Sequence, residues 1–200
     1  MKIKKGIVLA GGTGSRLYPL TIATNKQLLP IFDKPAIYYP LSVLMLAGIQ
    51  DILFISTPKD LPVLEKLFGD GRSLGMQFSY QVQMQPKGLP EAFILGEKFI
   101  NNESVAMILG DNFFHAHGLS ELLCDSIHHA KKAHIFTYHV ENPSAYGIVV
   151  INEKNKIILI EEKPKYHLSN LAITGLYFFD ASVCQKAKEL IPSERNELEI

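Results

Sequence analysis

The stretch "GIVLAGGTGSRLYPLT", residues 6–21, decides how the rest of the chain is read. Gly6 to Ala10 is short, continuous and apolar, the pattern of a strand buried on both faces of a parallel sheet. Gly11, Gly12 and Gly14 follow at once, where such a strand opens onto the crevice at its carboxyl end. Glycine there permits positive φ and lets backbone N–H groups come close to an anion. Arg16 adds a fixed positive charge whose planar fork suits phosphate oxygens. Neither familiar glycine motif fits. A dinucleotide fingerprint needs a third glycine opening a helix, and Leu17 stands in its place. A P-loop ends in Gly-Lys-Ser/Thr, which Arg16-Leu17 does not supply. The loop is either a flexible strand-to-loop turn or a phosphate cradle of a third kind, and the arginine favours the cradle.

Outward from this loop the chain alternates. After an irregular stretch, Thr21 to Pro35, the spacing predicts a helix over Pro40–Ile49 that stops at Gly48, then a buried strand over Asp51–Thr57. A helix over Asp60–Phe68 and an alternating strand over Phe78–Gln83 follow. Leu89–Ile100 reads as a helix, Val105–Gly110 as another fully apolar strand and Leu119–Ala130 as a helix. Such alternation implies right-handed β-α-β units and a parallel sheet covered on both faces. From His134 the rhythm changes. "HIFTYHV", "YGIVVIN", "KIILIEE" and "AITGLYFFD" are strands with little helix between them, so an antiparallel portion follows the Rossmann-like half. A last helix is expected over Ala181–Leu190. The fold class is α/β, a three-layer α/β/α arrangement around a mixed, mostly parallel sheet. No repeat, low-complexity tract or linker interrupts it, and residues 1–200 read as a single domain.

With 200 residues, 47% of them hydrophobic, the chain can bury a sizeable core. Its 20 basic and 20 acidic side chains cancel, which argues against nucleic acid as a partner and leaves room for a local basic pocket. Cys124 and Cys184 are too few for a disulfide framework, and a reduced, cytoplasmic compartment is the natural reading. The basic start "MKIKKGIVLAGG" has an apolar run too short for a signal peptide. No stretch approaches the ~20 apolar residues of a membrane span, so no membrane partner is expected.

Beyond the glycine loop, "VAMILGDN" places Asp111 directly after a buried strand, at the edge where open α/β sheets bind ligands. A carboxylate there can hold Mg²⁺, and an Asp-Asn pair can equally be a turn. In "IEEKPK", Pro164 biases Lys163 to an extended backbone, so Glu162 and Lys163 share a face only if the strand bends. The bland reading there is an exposed charged strand end. Lys26 of "NKQLLP" lies in a long loop with no helix face to explain it, and solvation alone would account for it. The histidines, including His115, His117, His128 and His129, lack the fuller ligand set of a zinc site and read as surface or core residues. There is no G-x-S-x-G elbow, and Cys124 falls within a helical pattern, so a hydrolase nucleophile has no support.

Assembled, these pieces resemble the bacterial sugar-1-phosphate nucleotidyltransferases. The resemblance runs over essentially the whole chain, through "KGIVLAGGTGSRLYPLT", "NKQLLPIFDKPAIYYPLSVLMLAGI", "DILFISTP", "LFGDG", "LGDNFF", "YGIVV", "EEKP", "TGLYFFD" and "PSERNELEI". "KQLLPIFDKPAIYYPL" points to the thymidylyltransferase branch over the adenylyl and guanylyl branches. That branch joins a thymidylyl group of dTTP to glucose 1-phosphate, giving dTDP-glucose and pyrophosphate. It opens dTDP-rhamnose synthesis, which feeds O-antigen polysaccharide. The implied cofactor is Mg²⁺, and the implied assembly is a homo-oligomer, a dimer or tetramer when full-length.

The resemblance also distributes roles. Leu9, Gly11, Gly12 and Thr13 carry the nucleotide, and Arg16 and Lys26 hold its phosphates. Gln83 and Gly88 read the thymine base. Asn112, Tyr146, Gly147, Glu162 and Ile173 line the sugar pocket, and Lys163 and Arg195 contact the sugar phosphate. Asp111 is one of two metal-binding aspartates. The other follows "ELEI" in the family, beyond Ile200, so turnover is expected to fall below that of a chain reaching it. The sequence departs from the family at Met84, where proline is common, at Pro90-Glu91, where Ala-Gln is common, and at Asn196, where glycine is common. Two other readings keep a nucleotide site: a uridylyl- or cytidylyltransferase for another sugar, and a catalytically impaired fragment that binds nucleotide-sugar.

Overall fold

Four strands alternate with helices through the first two thirds of the chain: β1 (Lys5–Leu9), β2 (Asp51–Ser56), β3 (Gln77–Val82) and β4 (Val105–Leu109). The helices are α1 (Tyr38–Leu46), α2 (Leu61–Phe68), α3 (Glu91–Leu95), α4 (Glu97–Ile100) and α5 (Leu119–His129), with α6 (Val183–Glu189) near the end of the chain. This computed structural model describes residues 2–12, 14–193 and 198–199.

β1 pairs in parallel on both edges, Ile7 lying opposite Leu53 of β2 and Met107 of β4. β2 pairs in parallel with β3. The spatial order is β3-β2-β1-β4, so the chain winds outward from β1 in one direction and returns to its other side with β4. The gap between β1 and β4 is a topological switch point, where open α/β sheets take ligands. The apolar runs form strands here because both faces are covered. A Cβ on Gly6 would lie 2.9 Å from Leu44 of α1, whereas Ile7, pointing the other way, reaches Gly96 between α3 and α4. Ile7, Val8, Ile52, Phe54, Ile55 and Val105 are fully buried. Phe54 anchors one end of this core, its ring centroid 5.1 Å from Phe68 of α2 and 5.1 Å from Phe78 of β3.

The single helix expected over Leu89–Ile100 is two short ones broken at Gly96. A side chain at Gly96 would press on Ile7 and Leu53, each 3.2 Å from its Cβ position, so glycine's close packing on the sheet outweighs helical continuity. The stretch Thr21–Pro35 contains a short helical turn, Lys26–Leu28, and a small hairpin pairing Pro30–Ile31 with Lys34–Pro35.

The chain divides into two compact units, Met1–His134 with Phe178–Ile200, and Ile135–Tyr177. The second carries the change of rhythm read at His134: β5 (Ala133–His139), β6 (Gly147–Ile151), β7 (Ile157–Glu162) and β8 (Leu171–Phe179). β6 pairs antiparallel with both β7 and β8, and β5 pairs with β8. Asn152 turns the β6–β7 hairpin, its Oδ1 accepting from the backbone N–H of Lys154 and Lys156 at 3.0 Å each. Pairing among β1, β2, β3 and β4 is therefore parallel and that of β6 with β7 and β8 antiparallel, the mixed α/β class read from the sequence. No helix among the described residues is long and apolar enough to cross a membrane.

Candidate active site

The loop after β1 is held from beneath. Ala10 donates its N–H to Ile55 at 2.8 Å, and Gly110 donates to Leu9 at 2.9 Å, fixing the loop to the strands on either side. Its carbonyl oxygens are then tied down by side chains. That of Ala10 accepts from Ser56 Oγ at 2.8 Å and Asn25 Nδ2 at 3.3 Å. That of Gly11 accepts from Gln27 Nε2 at 3.2 Å, and that of Gly14 from Thr21 Oγ1 at 2.7 Å. No hydrogen bond among the described residues uses the N–H of Gly11, Gly12 or Gly14. A loop with bound carbonyls and spare amides is an anion-binding nest.

Two charged side chains stand over it. Lys26 comes from the turn after Asn25, whose Oδ1 accepts from the Gln27 N–H at 2.8 Å and whose Nδ2 holds Asp60 at 2.8 Å. The Lys26 ammonium lies 3.8 Å from where a Cβ on Gly12 would sit, and it forms an ion pair with Asp111 Oδ2. Asp111 follows β4 after Gly110, and its other oxygen accepts from Asn112 Nδ2 at 3.4 Å. The lysine left open between solvation and function thus joins the glycine loop to the aspartate across the switch point. Arg16 is exposed, in the helical turn Ser15–Leu17 that follows the loop. No carboxylate among the described residues pairs with it.

Gln83 follows β3 and is 2% exposed. Its N–H donates to Ser56 at 2.8 Å, its Nε2 donates to Glu91 at 2.7 Å, and its Oε1 is turned to the glycine loop, 2.7 Å from a Cβ position on Gly11. Gly88, at φ +101, pairs with Leu198 so closely that a Cβ would fall 2.0 Å from the Leu198 carbonyl oxygen. Only glycine fits there.

The remaining residues form a cluster within the second unit. Gly147 opposes Glu162 across β6 and β7, and its missing Cβ leaves room for a Glu162 oxygen that would otherwise sit 2.6 Å away. Ile173 of β8 lies on the same side, 3.8 Å from that Cβ position. Tyr146 is 47% exposed, and its carbonyl accepts from the Lys163 N–H at 2.9 Å. Burial, with the charge of Glu162 second, pushes the Tyr177 phenol up to about 12. One expectation is corrected here. Lys163 is not extended ahead of Pro164 but sits at φ +47, and the bend brings its ammonium to 3.9 Å from Glu162 Oε1. The Tyr146–Lys163 hydrogen bond outweighs the steric preference of a pre-proline residue.

Of the residues read from the sequence, Leu9, Gly11, Gly12, Lys26, Gln83, Asp111 and Asn112 gather at the carboxyl edge of the parallel strands. Tyr146, Gly147, Glu162, Lys163 and Ile173 gather in the second unit. Thr13 and Arg195 lie outside the described residues. Gln27 was missed. It is 1% exposed, its Nε2 holds the Gly11 carbonyl, and its buried Oε1 has no hydrogen-bond partner among the described residues. Its place beside Lys26 in "NKQLLP" was the available signal.

With this geometry in view, comparison with known proteins places the chain in a class. The sequence profile of the nucleotidyl transferase family matches residues 5–200, and the chain belongs to that family. Among curated relatives, the glucose-1-phosphate thymidylyltransferase of Neisseria meningitidis serogroup A is 51% identical over 196 residues, covering 98% of this chain and 68% of its own. The enzyme of the same name from Mycobacterium tuberculosis H37Rv is 49% identical, with the same coverage of 98% and 68%. Among solved structures, UDP-glucose pyrophosphorylase complexed with UDP-glucose superposes with a TM-score of 0.86 at 29% identity, over 99% of this chain and 84% of that one.

Proposed function

We propose that this chain transfers the thymidylyl group of dTTP to glucose 1-phosphate, giving dTDP-glucose and pyrophosphate. The observation that carries the nucleotide reading is the loop after β1, with its carbonyls tied down and its amides spare beside Lys26 at a switch point. Such a loop suits a chain of phosphates better than a neutral ligand. The thymidylyl choice is supported by the relatives at 51% and 49% identity. Because the family profile spans both units, residues 1–200 would act as one nucleotidyltransferase domain.

In this reading Leu9, Gly11, Gly12 and Thr13 seat the nucleotide, and Arg16 and Lys26 bind its triphosphate. Gln83 and Gly88 face the base, and Gln27 holds the loop beneath them through the Gly11 carbonyl. Asn112, Tyr146, Gly147, Glu162 and Ile173 hold the sugar, while Lys163 and Arg195 bind its phosphate. Asp111 fits Mg²⁺, being a hard oxygen donor left 38% exposed beside the phosphate loop. The ion would take its remaining positions from water and phosphate oxygens, and its chemistry there is to offset phosphate charge.

A phosphate oxygen of glucose 1-phosphate attacks the α-phosphorus in line. The bond from that phosphorus to the bridging oxygen breaks, and pyrophosphate leaves with the electron pair. Both reactants are anions, so the cations must first offset their repulsion. Positioning supplies much of the rest, since effective molarities of ~10⁵ M or more are reachable for well-oriented groups. The sugar phosphate is already ionised at pH 7, so no general base is required. The reaction would run in the cytoplasm, in keeping with two free cysteines.

Pyrophosphate release measured with glucose 1-phosphate and dTTP, UTP or CTP tests the proposal. The expected result is fastest turnover with dTTP. Faster turnover with UTP or CTP would overturn the thymidylyl assignment, and failure to bind any nucleoside triphosphate would overturn the reading altogether.

A further inference from the structure

The base-facing amide is not free to choose its own orientation. Gln83 Nε2 donates to Glu91 Oε2 at 2.7 Å, and the same oxygen accepts from the Lys87 backbone N–H at 3.0 Å. A carboxylate can only accept when ionised, so it fixes which end of the amide it meets. Turning the amide over would set Gln83 Oε1 against a carboxylate oxygen within a site where Gln83 is 2% exposed. The oxygen is therefore held toward the glycine loop, beside Gly11.

We propose that Glu91 is a positioning residue that sets base choice by locking the Gln83 amide with its oxygen toward the bound base. The inference rests on the reading above, in which Gln83 faces the base. An imide pyrimidine, thymine or uracil, offers an N3–H donor flanked by carbonyl acceptors. It meets a fixed amide oxygen well and can use the second Nε2 proton. Cytosine offers an acceptor at N3 and an amino donor beside it, so it matches the amide in the opposite orientation. Glutamine at position 91 could serve either orientation, since its own amide both donates and accepts. The carboxylate thus adds selectivity that an amide at the same place would not. It also ties Gln83, Lys87 and Glu91 into one loop, a structural role that would act on all nucleotides alike.

Calorimetric titration of dTTP, UTP and dCTP onto the wild-type chain, Gln83→Ala, Glu91→Gln and Glu91→Ala separates these roles. The wild type is expected to bind dTTP and UTP more tightly than dCTP, and Gln83→Ala to remove that preference. Glu91→Gln should narrow the preference roughly tenfold, about what one hydrogen bond is worth in affinity. Glu91→Ala should weaken all three nucleotides as the loop loosens. If Gln83→Ala loses the preference and Glu91→Gln keeps it in full, the Glu91 inference fails while the base reading stands. If Gln83→Ala keeps the preference, or the wild type binds dCTP as well as dTTP, the base reading itself fails. Should the Glu91 variants misfold, nuclear magnetic resonance of the wild type decides. A Gln83 side-chain amide proton shifted well downfield of free glutamine supports the lock, and shifts like those of a free glutamine overturn it.

Discussion

The two units build their candidate sites from different materials. In the first, the nucleotide cradle is mostly backbone, held by strands whose residues Ile7, Val8, Ile52, Phe54 and Ile55 are fully buried. In the second, the candidate sugar site is mostly side chains, and one of the strands that mount it, β7, is far less covered. Ile157, Ile158, Leu159 and Ile160 of β7 are 51%, 63%, 42% and 45% exposed. The difference follows from the ligands each would take. Phosphates are much alike, and amides fixed by a rigid parallel sheet serve them without any particular side chain. A sugar must be told apart by its hydroxyls, and only side chains of chosen length and charge do that. In the proposed reading the phosphate cradle of the first unit thus depends on rigidity, and the sugar site of the second on residue identity.

The largest expected effect tests the first half of that contrast. The backbone cradle still needs charge to offset two anionic reactants, and Arg16 is exposed beside it with no carboxylate partner among the described residues. Arg16→Ala is expected to lower kcat/KM by roughly 10²–10³, as loss of one preorganised donor at a reacting centre does. Fluorescence-monitored melting should stay at the wild-type value, since no packing is removed. Turnover near the wild-type level would mean that the amides alone suffice.

The same contrast explains how much could be read from the sequence. β1, β2 and β4 were legible because continuous apolar runs ended by glycine, as after β1 and β4, or by Thr-Pro, as after β2, have few other folded forms, and Asp111 was legible by its place after such a run. The cradle's carbonyl ties were not. Ser56, Asn25 and Thr21 reach it from distant positions, and no local pattern marks a side chain that bonds a loop carbonyl. Helix Leu89–Ile100 was misread because periodicity does not reveal that Gly96 must pack on Ile7 and Leu53. Lys163 was misread because a local proline rule was outweighed by a hydrogen bond to Tyr146, an interaction between strands. Resemblance supplied the members of the second cluster, and the structure shows that Tyr146, Gly147, Glu162, Lys163 and Ile173 do converge within one unit.

A smaller effect sharpens the division between the units. Lys163 is 44% exposed with its ammonium 3.9 Å from Glu162, and in the proposed reading it binds the sugar phosphate. Lys163→Ala is expected to raise KM for glucose 1-phosphate roughly tenfold, the scale of one charge-assisted hydrogen bond. The calorimetric Kd for dTTP should stay unchanged. Equal losses for both substrates would show that the two units do not divide the ligands as described.

The smallest effect compares burial in the two units through one tyrosine in each. Burial, followed by the charges of Glu65 and Asp70, pushes Tyr80 up to about 12, and its hydroxyl donates to the Gly69 carbonyl at 2.6 Å. Burial, followed by Glu162, pushes Tyr177 up to about 12 as well. An unfolded tyrosine titrates at 10.0, so each group favours its neutral form in the fold. The stability this contributes is complete below pH 10 and is lost as the pH rises from there through about 12. Tm should therefore fall across that window, by a few degrees on the order expected for one titrating group in a domain this size. Tyr177 is 4% exposed and Tyr80 only half-buried, so more of the fall should belong to Tyr177. Each Phe variant also loses hydroxyl contacts at every pH, so the slope of Tm against pH is the measure. Tyr177→Phe should flatten that slope more than Tyr80→Phe, and Glu162→Gln should flatten it slightly by removing the second cause of the shift. If Tyr80→Phe flattens it more, the alkaline weak point lies in the first unit, beside Phe54, whose ring stacks on Tyr80 at 5.6 Å.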